Sequence, residues 1–195
     1  MLAMAALYAA KPAERSEPLD TQWHKDILKG YEARYVDQGM AFDGPCRSTI
    51  IRRLDPKGSH KAYLYIHGFN DYFFQSEMGE RFVDSGFNFY AVDLRRYGRS
   101  LEPWQYPFNI RDMKEYFAGI DSALSQIRAD GNTDITLSGH STGGLTVTFL
   151  AAEKGAQAGV NRVVTDSPFL DWNFSATYRN FLIPLVSFWG RLSPN

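Results

Sequence analysis

An apolar run, Ile135-Thr136-Leu137, leads into Gly139-His140-Ser141-Thr142-Gly143, and a helix-forming stretch over residues 145–154 follows. A serine with glycine two residues away on each side, set between strand and helix, is the pattern of a nucleophile elbow. Small residues let the chain turn sharply and hold the serine side chain out where a substrate carbonyl can reach it. The pattern also fixes a strand-turn-helix unit, so it constrains the fold as well as the chemistry. So short a motif could be a plain glycine-rich turn; the strand before and the helix after argue against that. Gly143 and Gly144 have a packing role available too, since without side chains a helix can approach its neighbours closely.

The rest of the chain supplies matching units. Residues 31–36 and 47–54 read as two strands joined through Asp43-Gly44-Pro45, able to form an antiparallel pair. Residues 62–66 form a short apolar run typical of a strand buried on both faces. Met78, Phe82 and Val83 recur at helical spacing before Gly86, and residues 87–92 read as another buried strand. Ile110, Met113, Phe117, Ile120, Leu124 and Ile127 form one stripe, which predicts a helix over 110–129 capped by Asn109 and stopped by Gly131. Residues 160–165 are a further strand. Strands alternating with amphipathic helices imply an α/β protein with a mostly parallel sheet covered on both faces. Active sites in such sheets lie beyond the carboxyl ends of the strands. Three loops leave those ends: residues 67–71, residues 93–100 and the elbow.

The bulk properties remove other classes. The chain has 195 residues, 44% hydrophobic and 22% charged, as expected of one globular domain or a large part of one. A net charge of −1 gives no electrostatic basis for binding nucleic acid or an anionic membrane surface. The single cysteine, Cys46, cannot form an internal disulfide, which suits a reducing, cytoplasmic setting, and it is too little for a usual structural zinc site. No segment has the ~20 apolar residues needed to cross a bilayer, and no cofactor motif is present. Residues 1–10 are apolar but short and lack a basic start, so they read as a frayed or docked N-terminal helix rather than a cleaved leader. Residues 11–20, with Pro12 and Pro18 among charges, read as a linker. The expected organisation is an extension over 1–30, a core over 31–166 and the start of a cap over 167–195.

Ser141 is the candidate nucleophile. Attack on a carbonyl creates an oxyanion, and fixed backbone N–H groups stabilise it by about 3–4 kcal/mol each. Thr142 N–H, next after the serine, is one candidate donor. A serine hydroxyl also needs a base. None of the four histidines is a good one. His140 sits on the tight turn and should point away, His67 should brace its loop by hydrogen bonds, and His24 and His60 lie in surface-like contexts. Asp93 should hold its turn by accepting loop N–H bonds. Arg95, Arg96 and Arg99 suit either a solvated loop or an anionic substrate group. Asp166, at a strand end, could be a triad acid orienting a histidine, or an ordinary loop-fixing residue before Ser167-Pro168. Tyr72, Phe73 and Phe74 offer apolar lining. Phe174, Tyr178, Phe181, Leu182, Leu185, Phe188 and Trp189 form an apolar helical stretch, either core or the start of a lid.

Together His67-Gly68-Phe69, Asp93-Leu94-Arg95-Arg96-Tyr97-Gly98-Arg99-Ser100, Gly139 to Gly144 and Ser167-Pro168-Phe169-Leu170-Asp171 resemble the α/β-hydrolase superfamily. The resemblance runs from about Tyr31 onward. It is nearest the branch of monoacylglycerol lipase-like and lysophospholipase-like enzymes, also called serine aminopeptidase-like. His67-Gly68-Phe69 resembles the oxyanion loop of esterases, which makes Phe69 N–H the second candidate donor. Arg96 departs from the pattern, since many relatives have glycine there. The family's order is serine, then acid, then histidine. The resemblance therefore implies the N-terminal portion of the fold, with the catalytic histidine and the last strands not in this chain, and an open strand edge covered by another copy, the 174–189 stretch or further polypeptide. Two functions follow as expectations: a serine hydrolase of lipid-like carboxylic esters, or an acyltransferase on the same scaffold. The alternative is an inactive hydrolase fold used for binding or regulation.

Overall fold

The computed structural model describes residues 13–171 and 176–192, with the side chains of residues 176–178 excepted. The expectations placed on residues 1–10, Phe174 and the Tyr178 side chain lie outside them. The described residues form one seven-stranded sheet in the order β1-β2-β3-β5-β4-β6-β7. Its strands are β1 (His24–Lys25), β2 (Glu32–Ala41), β3 (Gly44–Arg53), β4 (Lys61–Ile66), β5 (Asn88–Asp93), β6 (Asp134–His140) and β7 (Arg162–Asp166). The β1-β2, β2-β3 and β3-β5 pairs are antiparallel, whereas the β5-β4, β4-β6 and β6-β7 pairs are parallel. This is the α/β architecture that the alternation of strands and helices predicts, led in by an antiparallel hairpin.

The helices are α1 (Ser76–Asp84), α2 (Phe117–Ala129), α3 (Thr142–Lys154) and α4 (Ala176–Leu192). Alternation along each strand supplies two cores. Ala62, Leu64 and Ile66 of β4 and Tyr90 and Val92 of β5 pack with Ile120, Leu124 and Ile127 of α2 and Val147 and Leu150 of α3. Tyr65 of β4 and Phe89 and Ala91 of β5 point the other way, onto Phe73 and Val83. Helices thus cover both faces, α1 on one and α2 with α3 on the other.

Three details differ from the sequence reading. The hairpin turn is Phe42-Asp43, because Ala41 pairs with Gly44 and places Gly44-Pro45 inside β3. The α2 helix proper starts at Phe117, not Ile110. Asp112 accepts from Lys114 N while Glu115 reaches back to Asp112 N, a capping box that closes one 3-10 turn over Met113–Tyr116 before the α-helix begins. Finally, the irregular segment before β1 is fastened down: Arg15 bonds Glu102 at 2.8 Å and Ala13 N bonds Asp43 O at 3.1 Å.

At the far edge, all five residues of β7 are exposed, and so are the described side chains of α4, including Phe181 and Trp189. Among the described residues no helix is long and apolar enough to cross a membrane.

Candidate active site

Ser141 stands between β6 and α3 with φ 53° and ψ −119°, a left-handed conformation that a residue with a Cβ adopts at a cost of about 1–3 kcal/mol. Close packing imposes it. A Cβ on Gly139 would lie 2.3 Å from Gly143 O, and one on Gly143 would lie 2.3 Å from Ile66 O and 2.4 Å from His67 O. Only glycine lets the helix start fall against the end of β4. The serine backbone is clamped on both sides: its N–H donates to Asp166 O at 3.0 Å, and its carbonyl accepts from Leu145 N at 3.2 Å and Phe169 N at 2.9 Å. Although Ser141 is the N-cap of α3, its hydroxyl makes no capping bond. The side chain is left half-buried, with α3's first N–H groups, Thr142 among them, beside it and unpaired within the helix.

The loop after β4 runs alongside. A Cβ on Gly68 would sit 3.2 Å from Ser141 Cβ, so glycine is what lets this loop pass the elbow and place Phe69 next. His67 holds the loop from beneath. Its Nε2 accepts from Leu94 N at 3.1 Å, which puts the ring proton on Nδ1, where it donates to Gly68 O at 2.8 Å. Burial pushes its pKa below the usual imidazole value, so it stays neutral with both nitrogens engaged. It is a brace, as its sequence context implies, and not a base.

Asp93, fully buried at the end of β5, joins two of the three loops. One carboxylate oxygen accepts from Phe73 N at 2.9 Å; the other accepts from Arg99 N at 3.0 Å and the Arg99 guanidinium at 2.9 Å. Arg99 also forms a bidentate pair with Asp26 at 2.6 and 2.8 Å. Arg95 pairs with Glu115 at 3.1 Å, and Arg96 grips Asp43 through both terminal nitrogens at 2.5 and 2.7 Å. The three arginines are therefore neither solvated nor open to an anionic substrate. Arg96 has φ +67°, a left-handed conformation that glycine adopts without strain and that arginine holds here while paired with Asp43.

Asp166, by contrast, is largely exposed. Its carboxylate meets His140 Nδ1 at 3.0 Å and accepts from Ser167 Oγ at 3.1 Å. It therefore does reach a histidine, the one on the elbow itself. Among the described residues neither ring nitrogen of His140 bonds to the Ser141 hydroxyl. His24 bonds Gln22 O and His60 bonds Gly131 O, away from the elbow.

A cleft of about 210 Å³ opens beside Thr142, walled by Gly68, Phe69, Phe108, Ile110, Met113 and Leu145. Ile110 and Met113 reach it because they precede α2 rather than lie within it. Phe108, with φ 64°, packs at a tilt against Phe69, ring centroids 5.1 Å apart. Phe108 follows Trp104 and Tyr106 at every second position, but Pro103 and Pro107 interrupt the segment and it forms no strand, so the alternation does not point to the cleft. Tyr72, Phe73 and Phe74 do not line this cleft: Phe73 is buried in the α1-side core and the other two are partly exposed. A larger groove, about 850 Å³, lies around Lys29, Arg53 and Lys57 at the amino end of β5, remote from Ser141. Among the described residues no group of three or more His, Cys, Asp or Glu is placed to hold a metal ion.

A family model described as serine aminopeptidase, S33, matches residues 58–195. No curated protein sequence matches. Among solved structures, monoglyceride lipase from Saccharomyces cerevisiae superposes with a TM-score of 0.64 at 20% identity, over 88% of this chain and 55% of its own. A probable hydrolytic enzyme from Pseudomonas aeruginosa gives 0.56 at 20% identity, over 82% and 53%. An epoxide hydrolase from Vigna radiata gives 0.53 at 17% identity, over 72% and 39%. At these identities the likeness shows the fold and leaves the substrate open. The chain spans about half the length of the structures it matches. Its sheet order, its elbow and the matched family model agree: the chain belongs to the serine aminopeptidase S33 family and has the α/β-hydrolase fold.

Proposed function

We propose that this chain carries the nucleophile and the oxyanion donors of a serine hydrolase of carboxylic esters with an apolar acyl group. The observation that supports it most is Ser141: a half-buried serine in a left-handed turn, its hydroxyl unused by the helix it caps, beside an apolar cleft. In this proposal Ser141 Oγ attacks the ester carbonyl carbon and gives up its proton to a base. The carbonyl oxygen takes the negative charge and is held by the N–H groups of Phe69 and Thr142. The tetrahedral intermediate expels the alcohol, which takes a proton, and leaves an acyl-serine. Water then attacks the acyl carbon and regenerates the hydroxyl. An alcohol in place of water would give acyl transfer at the same site.

The base is the missing element. His67 is locked, His140 is engaged with Asp166, and His24 and His60 are elsewhere. The proposal therefore takes the histidine from outside these 195 residues, with Asp166 kept as a candidate acid and residues 167–195 as the start of a cap. Without a base, a serine hydrolase loses about 10⁶ in turnover and keeps about 10³ over water from the oxyanion hole and binding. That engagement of all four histidines also favours the second reading, an inert hydrolase fold that binds or regulates. The open edge at β7 suits cover by a second copy or by further polypeptide. The lone, buried Cys46 fits a reducing, cytoplasmic setting.

A fluorophosphonate probe with mass-mapped adducts separates the two readings. Labelling at Ser141 that disappears in Ser141→Ala supports the hydrolase; a Ser141 left unlabelled in the protein that also carries the histidine supports the inert fold.

A further inference from the structure

The tip of the β2-β3 hairpin is far from Ser141 in sequence, yet it grips the segment that walls the cleft at both ends. At the first end, Asp43 forms the bidentate pair with Arg96, whose side chain is wholly buried. Next to it, the Phe42 ring lies between two guanidinium groups, Arg96 at 4.5 Å and Arg111 at 4.1 Å. Arg96 and Arg111 bracket residues 97–110, and this bracketed segment supplies Tyr97, Phe108 and Ile110 to the cleft. The connection inward is direct. Arg96 O accepts from Phe108 N at 3.3 Å, and the Phe108 ring packs on Tyr97 at 4.8 Å and on Phe69 at 5.1 Å. Arg96 and Phe108 both hold positive φ, 67° and 64°, so the segment is bent at the two residues that this hydrogen bond joins.

Backbone preference does not explain that bend. Glycine would adopt φ +67° without strain, whereas arginine does so only if its side chain gains something in return. The gain on view is the buried pair with Asp43 and the stacking on Phe42. A charge-assisted bidentate pair fixes orientation as well as position. Its loss would leave Arg96 buried without a counter-charge and release the start of the segment.

We propose that Asp43 and Arg96 are positioning residues that set the acyl specificity of the Ser141 cleft, by holding residues 97–110 so that Phe108 closes one wall against Phe69. The inference rests on the ester-hydrolase reading for the identity of the ligand. It adds that the width of the cleft is controlled from the hairpin tip.

The test uses the 195-residue chain with methyl-labelled Ile, Leu and Met, titrated by NMR with octanoate, the acid product of an octanoyl ester. Saturable shifts are expected at the Ile110, Met113 and Leu145 methyls. Octanoate should bind about fivefold more weakly in Phe108→Ala, and equally so in Asp43→Asn and Arg96→Gly. Asp43→Glu, which keeps the charge, should stay within about twofold of wild type. Arg96→Gly is the critical variant, because it removes the pair while easing the backbone; the methyl spectrum reports whether each variant is folded. Wild-type affinity in folded Arg96→Gly and Asp43→Asn would overturn the proposal, and so would a wild-type chain whose cleft methyls ignore octanoate. Failure of the hydrolase reading shows differently: Ser141 unlabelled by fluorophosphonate in the protein that also carries the histidine, with octanoate binding and its dependence on Asp43 intact.

Discussion

Asp93 and Asp166 end neighbouring parts of the same sheet edge, and they have opposite fates. Asp93 is fully buried, with both oxygens committed to the Phe73 and Arg99 N–H groups and the Arg99 guanidinium. Asp166 is mostly exposed and holds only the His140 ring and the Ser167 hydroxyl. The carboxyl ends of β4, β5 and β6 are thus a rigid, internally satisfied frame around Ser141, whereas the end of β7 is open. A buried carboxylate with both oxygens committed holds structure. An exposed one at a strand end remains available to a group that arrives there. Pre-organisation and availability are separated across three strand spacings, from β5 to β7.

The largest effect that could break this contrast is at the two acids themselves. Asp93→Asn should cost about 3 kcal/mol in urea unfolding, because an amide NH2 in place of a carboxylate oxygen leaves buried N–H donors of Phe73 or Arg99 without an acceptor, even though Asp26 still pairs with Arg99. Asp166→Asn should cost under about 1 kcal/mol, as for an exposed pair. Equal losses at the two sites would dissolve the comparison. A second pair of variants sharpens it. Gly143→Ala drives a methyl group into the carbonyls of Ile66 and His67 and should destabilise by about 3 kcal/mol. Gly190→Ala, in open space on α4, should be neutral or stabilising by about 0.5–1 kcal/mol.

The smallest predicted effect is in pH. His67 is buried neutral, with a folded-state pKa lowered from the ordinary 6.5 by desolvation. The unfolded chain therefore binds the extra proton more readily than the folded one. The contribution is fully present above pH 6.5 and is lost as pH falls from there toward the folded-state pKa. The urea midpoint should drop on going from neutral to mildly acidic solution, and His67→Gln should flatten that part of the profile. An unchanged slope in the variant would remove His67 from the account.

Much of the frame was legible in the sequence because it is local. Apolar runs such as residues 62–66 mark strands, and the spacing of Ile120, Leu124 and Ile127 marks the buried face of α2. Gly139, Ser141 and Gly143 announce the turn that Ser141 φ and the glycine contacts display. The arginines were misread because their partners are remote: Asp43 lies 53 residues from Arg96 and Asp26 lies 73 from Arg99. Charge on a loop looks solvated until the fold brings an acid to it. The start of α2 was placed too early because apolar spacing continues through Ile110 and Met113, while Asp112 and Glu115 impose a capping box that period alone does not reveal. Of the cleft wall, Phe69, Ile110 and Met113 carried a motif or a period, whereas the place of Phe108 depends on the fold bringing it against Tyr97 and Phe69.

The central claim is that the elbow presents Ser141 Oγ for acylation between the N–H groups of Phe69 and Thr142. A crystal structure of the chain carrying a phosphonate on Ser141 tests it most directly. The account predicts a phosphonyl oxygen about 2.7–3.1 Å from the backbone nitrogens of both Phe69 and Thr142. An adduct on another residue, or a Ser141 phosphonate whose oxygens point away from those two nitrogens, would contradict it.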